Sequence, residues 1–199
     1  MSRLADALIR IGADLDELGV PWALVGGLAV SARAEPRTTR DVDVAMDVSG
    51  DEEAEAIIGA LHAKGYKTVA LVEQRAVKRL GTMRLRPPSP HRVAPVVDLL
   101  FYSSSIEAEC TRDAEVLEVL PNVSVPVARA PHLVAMKILA RDDRTRPQDL
   151  DDILALLDVC TDKDIERTRE LLLLIEQRGA HRNRALGAAF EEILAARRV

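Results

Sequence analysis

The sequence predicts an α/β protein, on three observations. Segments of helical apolar period alternate with short apolar runs of strand length as far as about residue 129, and only helical patterns follow. A Gly26-Gly27 pair sits where one such run gives way to a helix, and the next run carries Asp41 and Asp43. The expected division is an α/β core over residues 1–129 and a helical part over 130–199, with no repeat and no long linker between them.

Leu4, Leu8, Ile11, Leu15 and Leu18 keep a step of three or four, with Ser2 suited to the N-cap and Gly19 to the stop. Residues 22–25 read as a short buried strand, and 28–34 as a helix directly after the double glycine, closed by Pro36. Residues 42–46 form the strand of the carboxylates, and 51–64 a helix stopped by Gly65. Strands are expected at 66–72, 82–86 and 95–101. Residues 116–128 supply another strand or two, broken by Pro121 and Pro126. The remaining helices are placed at 131–140, 147–159, 162–177 and 181–198. Pro131 and Pro147 fall at helix starts and Gly179 at a stop.

Composition bounds the partners. A formal charge of −5 excludes a broadly basic surface, so any polyanion must be met by a local patch. Aromatics at 3% disfavour binding single strands by stacking many bases on side chains. Such a patch is present: Arg75, Lys78, Arg79, Arg84 and Arg86 lie in a stretch whose only acid is Glu73. The alternative reading is a charged strand edge that guards against aggregation. Arg141, Arg144 and Arg146 form a second cluster. Cys110 and Cys160 follow no ligand spacing, and no signal peptide or apolar run of bilayer length is seen, so a reduced, cytoplasmic protein without a membrane partner is expected.

The chemistry centres on residues 23–46. At a helix N-terminus, free N–H groups and the positive end of the dipole favour an anion, and glycine admits a phosphate without a Cβ in the way. On a strand, Asp41 and Asp43 point to one side while Val42 and Val44 point to the other. Two close carboxylates repel unless a cation lies between them, and Mg²⁺ takes carboxylate oxygens together with substrate phosphates. Asp98 interrupts the apolar run Val96-Val97-Asp98-Leu99-Leu100 and needs a partner, either a metal shared with Asp41 and Asp43 or an arginine. Asp149 and Asp152 share one helical face, and acids at a helix start also suit the dipole regardless of function.

In order, Gly-Gly-x-Ala, Arg-x-Thr-x-Asp-x-Asp, Val-Asp-Leu-Leu, Ala-Met-Lys with an Arg-rich turn, and Asp-x-x-Asp resemble the AbiEii-type nucleotidyltransferase toxins, and within them most nearly the mycobacterial MenT group. The resemblance runs from about residue 20 to 157. It implies a polymerase-beta-like mixed sheet with flanking helices and a C-terminal helical bundle. It also implies transfer of NMP from an NTP to RNA, with tRNA 3′ ends as acceptor, growth inhibition by blocked aminoacylation, and a cognate antitoxin as partner. Protein nucleotidylation, or a catalytically silent nucleotide-binding module of the same fold, is the alternative.

Carried over by motif, Gly26 and Gly27 cradle the triphosphate, and Asp41, Asp43 and Asp98 hold Mg²⁺ or Mn²⁺ and act in catalysis. Arg37 and Thr39 lead into the strand at the nucleotide, and Lys137 meets phosphate oxygens. Asp149 and Asp152 close the motif, with Asp152 the favoured functional residue. Gly27 stands where the wider superfamily has a serine, so backbone amides or a hydroxyl from Thr38 or Thr39 must serve. Lys137, at a cleft, is expected to be mostly solvated, with little effect on stability when removed.

Overall fold

Local signals set most of the helix and strand ends. The computed structural model describes residues 2–74, 79–89, 95–142 and 144–197. In α1 (Arg3–Glu17), Ser2 Oγ accepts from the Ala5 N–H at 3.2 Å, and Leu8, Ile11 and Leu15 are fully buried. Buried β1 (Trp22–Val25) passes straight into α2 (Gly26–Arg33), which starts at the double glycine itself, two residues before the apolar pattern suggested. Strand β2 (Val42–Met46) and helix α3 (Asp51–Ala63) follow the expected order.

Strands β3 (Lys67–Gln74) and β4 (Arg79–Arg86) outrun their apolar cores, because antiparallel pairing carries the ladder on to Gln74 opposite Arg79. Next come β5 (Val97–Leu100) and α4 (Glu107–Arg112). Helix α4 is too short to show a period; its one sequence signal is Ser104-x-x-Glu107, where Glu107 Oε1 accepts from the Ser104 N–H at 2.7 Å and Oγ at 2.9 Å. β6 (Glu115–Leu120) and β7 (Val123–Val127) form a hairpin, with Asn122 at φ +62 in its turn.

The rest is helical: α5 (Ala130–Ala140), α6 (Gln148–Val159), α7 (Asp162–Gln177) and α8 (Leu186–Arg197). A reciprocal capping box between Thr161 and Asp164 opens α7. Helix α8 starts later than the expected residue 181, since Arg182 (φ +54) and Asn183 (φ +57) adopt left-handed backbone and stop a helix from forming there. No described helix is long and apolar enough to cross a membrane.

The strands make one mixed sheet in the order β3-β4-β5-β2-β1-β7-β6. β2 runs antiparallel to β1 and parallel to β5, and β1 runs parallel to β7. Three central strands are therefore in register at the place that matters: Val25 lies opposite Asp43, and Asp43 beside Asp98. Val42, Val44, Val97 and Leu99 are completely buried, which fixes the register, because a one-residue slip would put these side chains where the aspartates are.

Helix α5 is buried on nearly every side and packs against α6, α7 and α2. Arg33 of α2 donates to the Val127 and Ala128 carbonyls at 2.9 and 3.0 Å, tying the glycine helix to β7 just before α5 begins.

Candidate active site

Gly26 sits at φ +66, and a Cβ there would lie 2.0 Å from Asp43 Oδ2, so the carboxylate packs directly on the turn. At Gly27 a Cβ would lie 2.7 Å from an Arg37 guanidinium nitrogen and 2.9 Å from Thr39 Oγ1. The second glycine thus leaves room for a cation and a hydroxyl beside the N-terminus of α2, and Thr39 stands near the place a serine side chain would occupy. A Gly26→Ala change should cost about 1–3 kcal/mol, from left-handed strain and displacement of Asp43. Urea unfolding measures it, and a variant as stable as the parent would refute the tight packing.

The glycine turn, Arg37, Thr39 and the three carboxylates line a cleft of about 380 Å³ together with Lys137 of α5. Burial pushes the Asp43 carboxyl up to about 6, with Asp98 and then Asp41 adding repulsion, while Lys137 and Arg146 oppose the rise.

Asp98, 8% exposed, has found the arginine of the two partners open to it: Arg84 Nε donates to its Oδ1 at 2.8 Å and Nη2 to its Oδ2 at 2.6 Å. The same guanidinium reaches Asp41 at 3.7 Å, and its pKa is pushed up chiefly by the bond to Asp98. Among the described residues no three potential ligands are gathered closely enough to grip a metal ion as they stand. The donor set nevertheless suits a hard divalent cation. It is all oxygen, its carboxylates repel one another, and its present counter-charge is the half-exposed side chain of Arg84.

Lys137 departs from the expectation of a solvated cleft lysine. It is 8% exposed, with Nζ 2.7 Å from Asp149 Oδ1 and 2.6 Å from Asp152 Oδ2, both carboxylates being almost fully buried. The reason is packing: α5 is apolar on nearly all sides, so its one lysine can be accommodated only against acids facing it from α6. Arg37 adds contacts to Asp152 at 2.7 and 2.9 Å. Arg146 Nε lies 3.0 Å from Asp149 Oδ2 as an ion pair, without hydrogen-bond alignment. The Asp-x-x-Asp face therefore holds the two cations, Lys137 and Arg37, in position beside the helix N-terminus.

The described residues of the basic stripe, Arg79, Arg84 and Arg86, differ in their surroundings. Arg84 belongs to the cleft, while Arg79 pairs with Asp51 at 2.9 Å and lies 4.0 Å over the Tyr102 ring. Arg86 is exposed, and Arg75 and Lys78 lie outside the described residues. No local signal separates Arg84 from the rest of the stripe: it shares a face of β4 with Thr82, but only the pairing of β4 with β5 sets it opposite Asp98. Arg182 also lines the cleft and carries no local motif that would reveal it.

The family model described as the nucleotidyl transferase AbiEii toxin of a type IV toxin–antitoxin system matches residues 8–198. Similar solved structures include an antigenic nucleotidyltransferase-like protein from Paracoccidioides brasiliensis, 16% identical with a TM-score of 0.56, over 95% of this chain and 92% of that one. ANT(2″)-Ia in complex with adenylyl-2″-tobramycin is 16% identical with a TM-score of 0.50, over 94% and 97% of the two chains. The lincomycin-bound lincosamide antibiotic adenylyltransferase LnuA is 16% identical with a TM-score of 0.50, over 77% and 96%. No curated protein matches the chain significantly. At such identity these likenesses establish the fold: a mixed-sheet nucleotidyltransferase core with flanking and C-terminal helices.

Proposed function

Since the chain belongs to the AbiEii family of nucleotidyltransferase toxins from type IV toxin–antitoxin systems, we propose that it transfers NMP from an NTP to RNA, with tRNA 3′ ends as acceptor. Blocked aminoacylation and growth arrest would follow, and an antitoxin would be the natural protein partner. The order of its motifs, which resembles the MenT group, supports the RNA acceptor. The observation that carries the chemistry is the alignment of Asp43 and Asp98 on neighbouring strands, with Asp41 alongside, next to the glycine start of α2.

In this reading the backbone N–H groups at Gly26 and Gly27 hold the triphosphate, helped by the Thr39 hydroxyl and the Arg37 guanidinium. Lys137 places a fixed positive charge where negative charge grows on the phosphates, oriented in advance by Asp149 and Asp152. Asp41, Asp43 and Asp98 would hold Mg²⁺ or Mn²⁺, which supplies Lewis-acid polarisation of the α-phosphate and stabilises the leaving oxygen. The acceptor's 3′ oxygen bonds to the α-phosphorus as the bond to the bridging oxygen breaks, and pyrophosphate leaves in line. Asp98 receives the hydroxyl proton, which requires Arg84 to release it first.

Incubation with each labelled NTP, Mg²⁺ and total RNA, followed by a denaturing gel, tests the reading. Label in a band of tRNA size is expected. Label on protein alone would favour nucleotidylation of a protein, and label on neither, with intact 3′ ends present, a silent binding module.

A further inference from the structure

Direction within the cleft separates the two ends of the reaction. β1 runs antiparallel to β2 with Val25 opposite Asp43, so the Gly26-Gly27 turn lies at the edge of the sheet where β2 begins. β5 runs parallel to β2, so passing along it from Asp98 to Leu100 and on to Ser103 leads away from that turn. Thr82, Leu100, Ser103 and Ser104 line the cleft along this path, and Arg182 joins them from the α7–α8 connection. In an in-line displacement the nucleophile enters opposite the leaving pyrophosphate, so this is the end at which the acceptor arrives.

Arg182 is exposed to solvent at the cleft rim, and its backbone is constrained. It and Asn183 both hold left-handed backbone, at φ +54 and +57, a conformation that non-glycine residues adopt at a cost. Its Nη2 donates to the Ser103 carbonyl at 3.1 Å, which moors the guanidinium at the cleft rim. Among the described residues no carboxylate lies within ion-pair distance of it. Although Arg182 is exposed by surface area, partial desolvation at the rim, then the like charges of Arg184 and Arg146, pull its pKa down, and Glu107 opposes them. Arg146 lines the same cleft, and its carboxylate partner Asp149 is already shared with Lys137. Arg182 is thus a cation at the rim of a cleft whose other ionic groups are largely paired.

We infer that Arg182 forms a subsite for a phosphodiester of the acceptor RNA's 3′-terminal nucleotides. The inference rests on the RNA-acceptor reading and adds where that strand is gripped. A guanidinium offers planar, forked donors to two phosphate oxygens, so it would set the strand's register without reading its sequence.

The test is steady-state transfer by Arg182→Gln, with RNA and NTP varied separately. KM for RNA should rise about tenfold, the scale of one charge-assisted contact, while KM for the NTP stays unchanged. The log–log salt slope of RNA binding should shrink by about 0.7, one single-strand phosphate contact. Arg182→Lys should recover part of the affinity and all of the salt slope. If the glutamine variant misfolds, Arg182→Gly removes the charge at a φ glycine accepts, and the same shifts are expected. A rise in KM for the NTP alone, or an unchanged RNA KM in a folded variant that still transfers to RNA, overturns the subsite. Failure of the unmutated protein to label any RNA overturns the acceptor reading, and this inference with it.

Discussion

Asp43→Asn should abolish transfer, by at least about a hundredfold, and at the same time make the ligand-free protein more stable. The two effects share one cause. Asp43 is buried and then crowded by Asp98 and Asp41, and its carboxyl is pushed from 3.8 up to about 6. Below about pH 4 the folded and unfolded chains both carry the proton, and the penalty is absent. Between about 4 and 6 the unfolded chain gives up its proton while the folded chain keeps it, so stability falls as pH rises; above about 6 the penalty is complete. Two pKa units correspond to about 3 kcal/mol, and the partial solvent access of the cleft brings the expectation to about 1–3 kcal/mol. Thermal melts in EDTA at pH 4 and pH 7.5 check this by difference, since other groups titrate in the same range: the variant's stability relative to the parent should rise by this amount between the two pH values. A variant that melts lower than the parent at pH 7.5, or that still transfers label, contradicts the assignment.

Lys137→Ala should lose both properties. The ammonium is the shared partner of Asp149 and Asp152, which are 2% and 3% exposed, and its removal strands two buried negative charges with only Arg37 and Arg146 to offset them. Breaking a buried pair in this way costs about 3–5 kcal/mol, and the remaining arginines bring the expectation to the lower end. Turnover, measured well below the lowered melting temperature, should drop at least about a hundredfold, the scale of losing one preorganised charge in a transition state. Neutralising all three groups, as Lys137→Met with Asp149→Asn and Asp152→Asn, should recover much of the stability and none of the turnover. Recovery of turnover would make Lys137 a structural residue only.

Much of this molecule is legible from local rules. The end of α1 at Gly19, the whole of β1 and β2, and the bounds of α7 follow from caps, apolar period and strand alternation, because each depends on contacts within a few residues. The glycine pair and the two aspartates were visible as a phosphate-and-cation motif for the same reason, since backbone freedom and side-chain alternation are local properties.

Three-dimensional neighbours alone decided the rest. Arg84 reads as part of a basic stripe until β4 pairs with β5 and lays it on Asp98. Lys137 reads as a solvated lysine at a cleft until α6 brings two acids against it. Arg182 belongs to no motif at all and reaches the cleft only because the α7–α8 connection passes over Ser103. The physical reason is common to all three. A charge's role depends on which opposite or like charges stand within a few ångströms, and those neighbours come from segments 12 to 79 positions away along the chain.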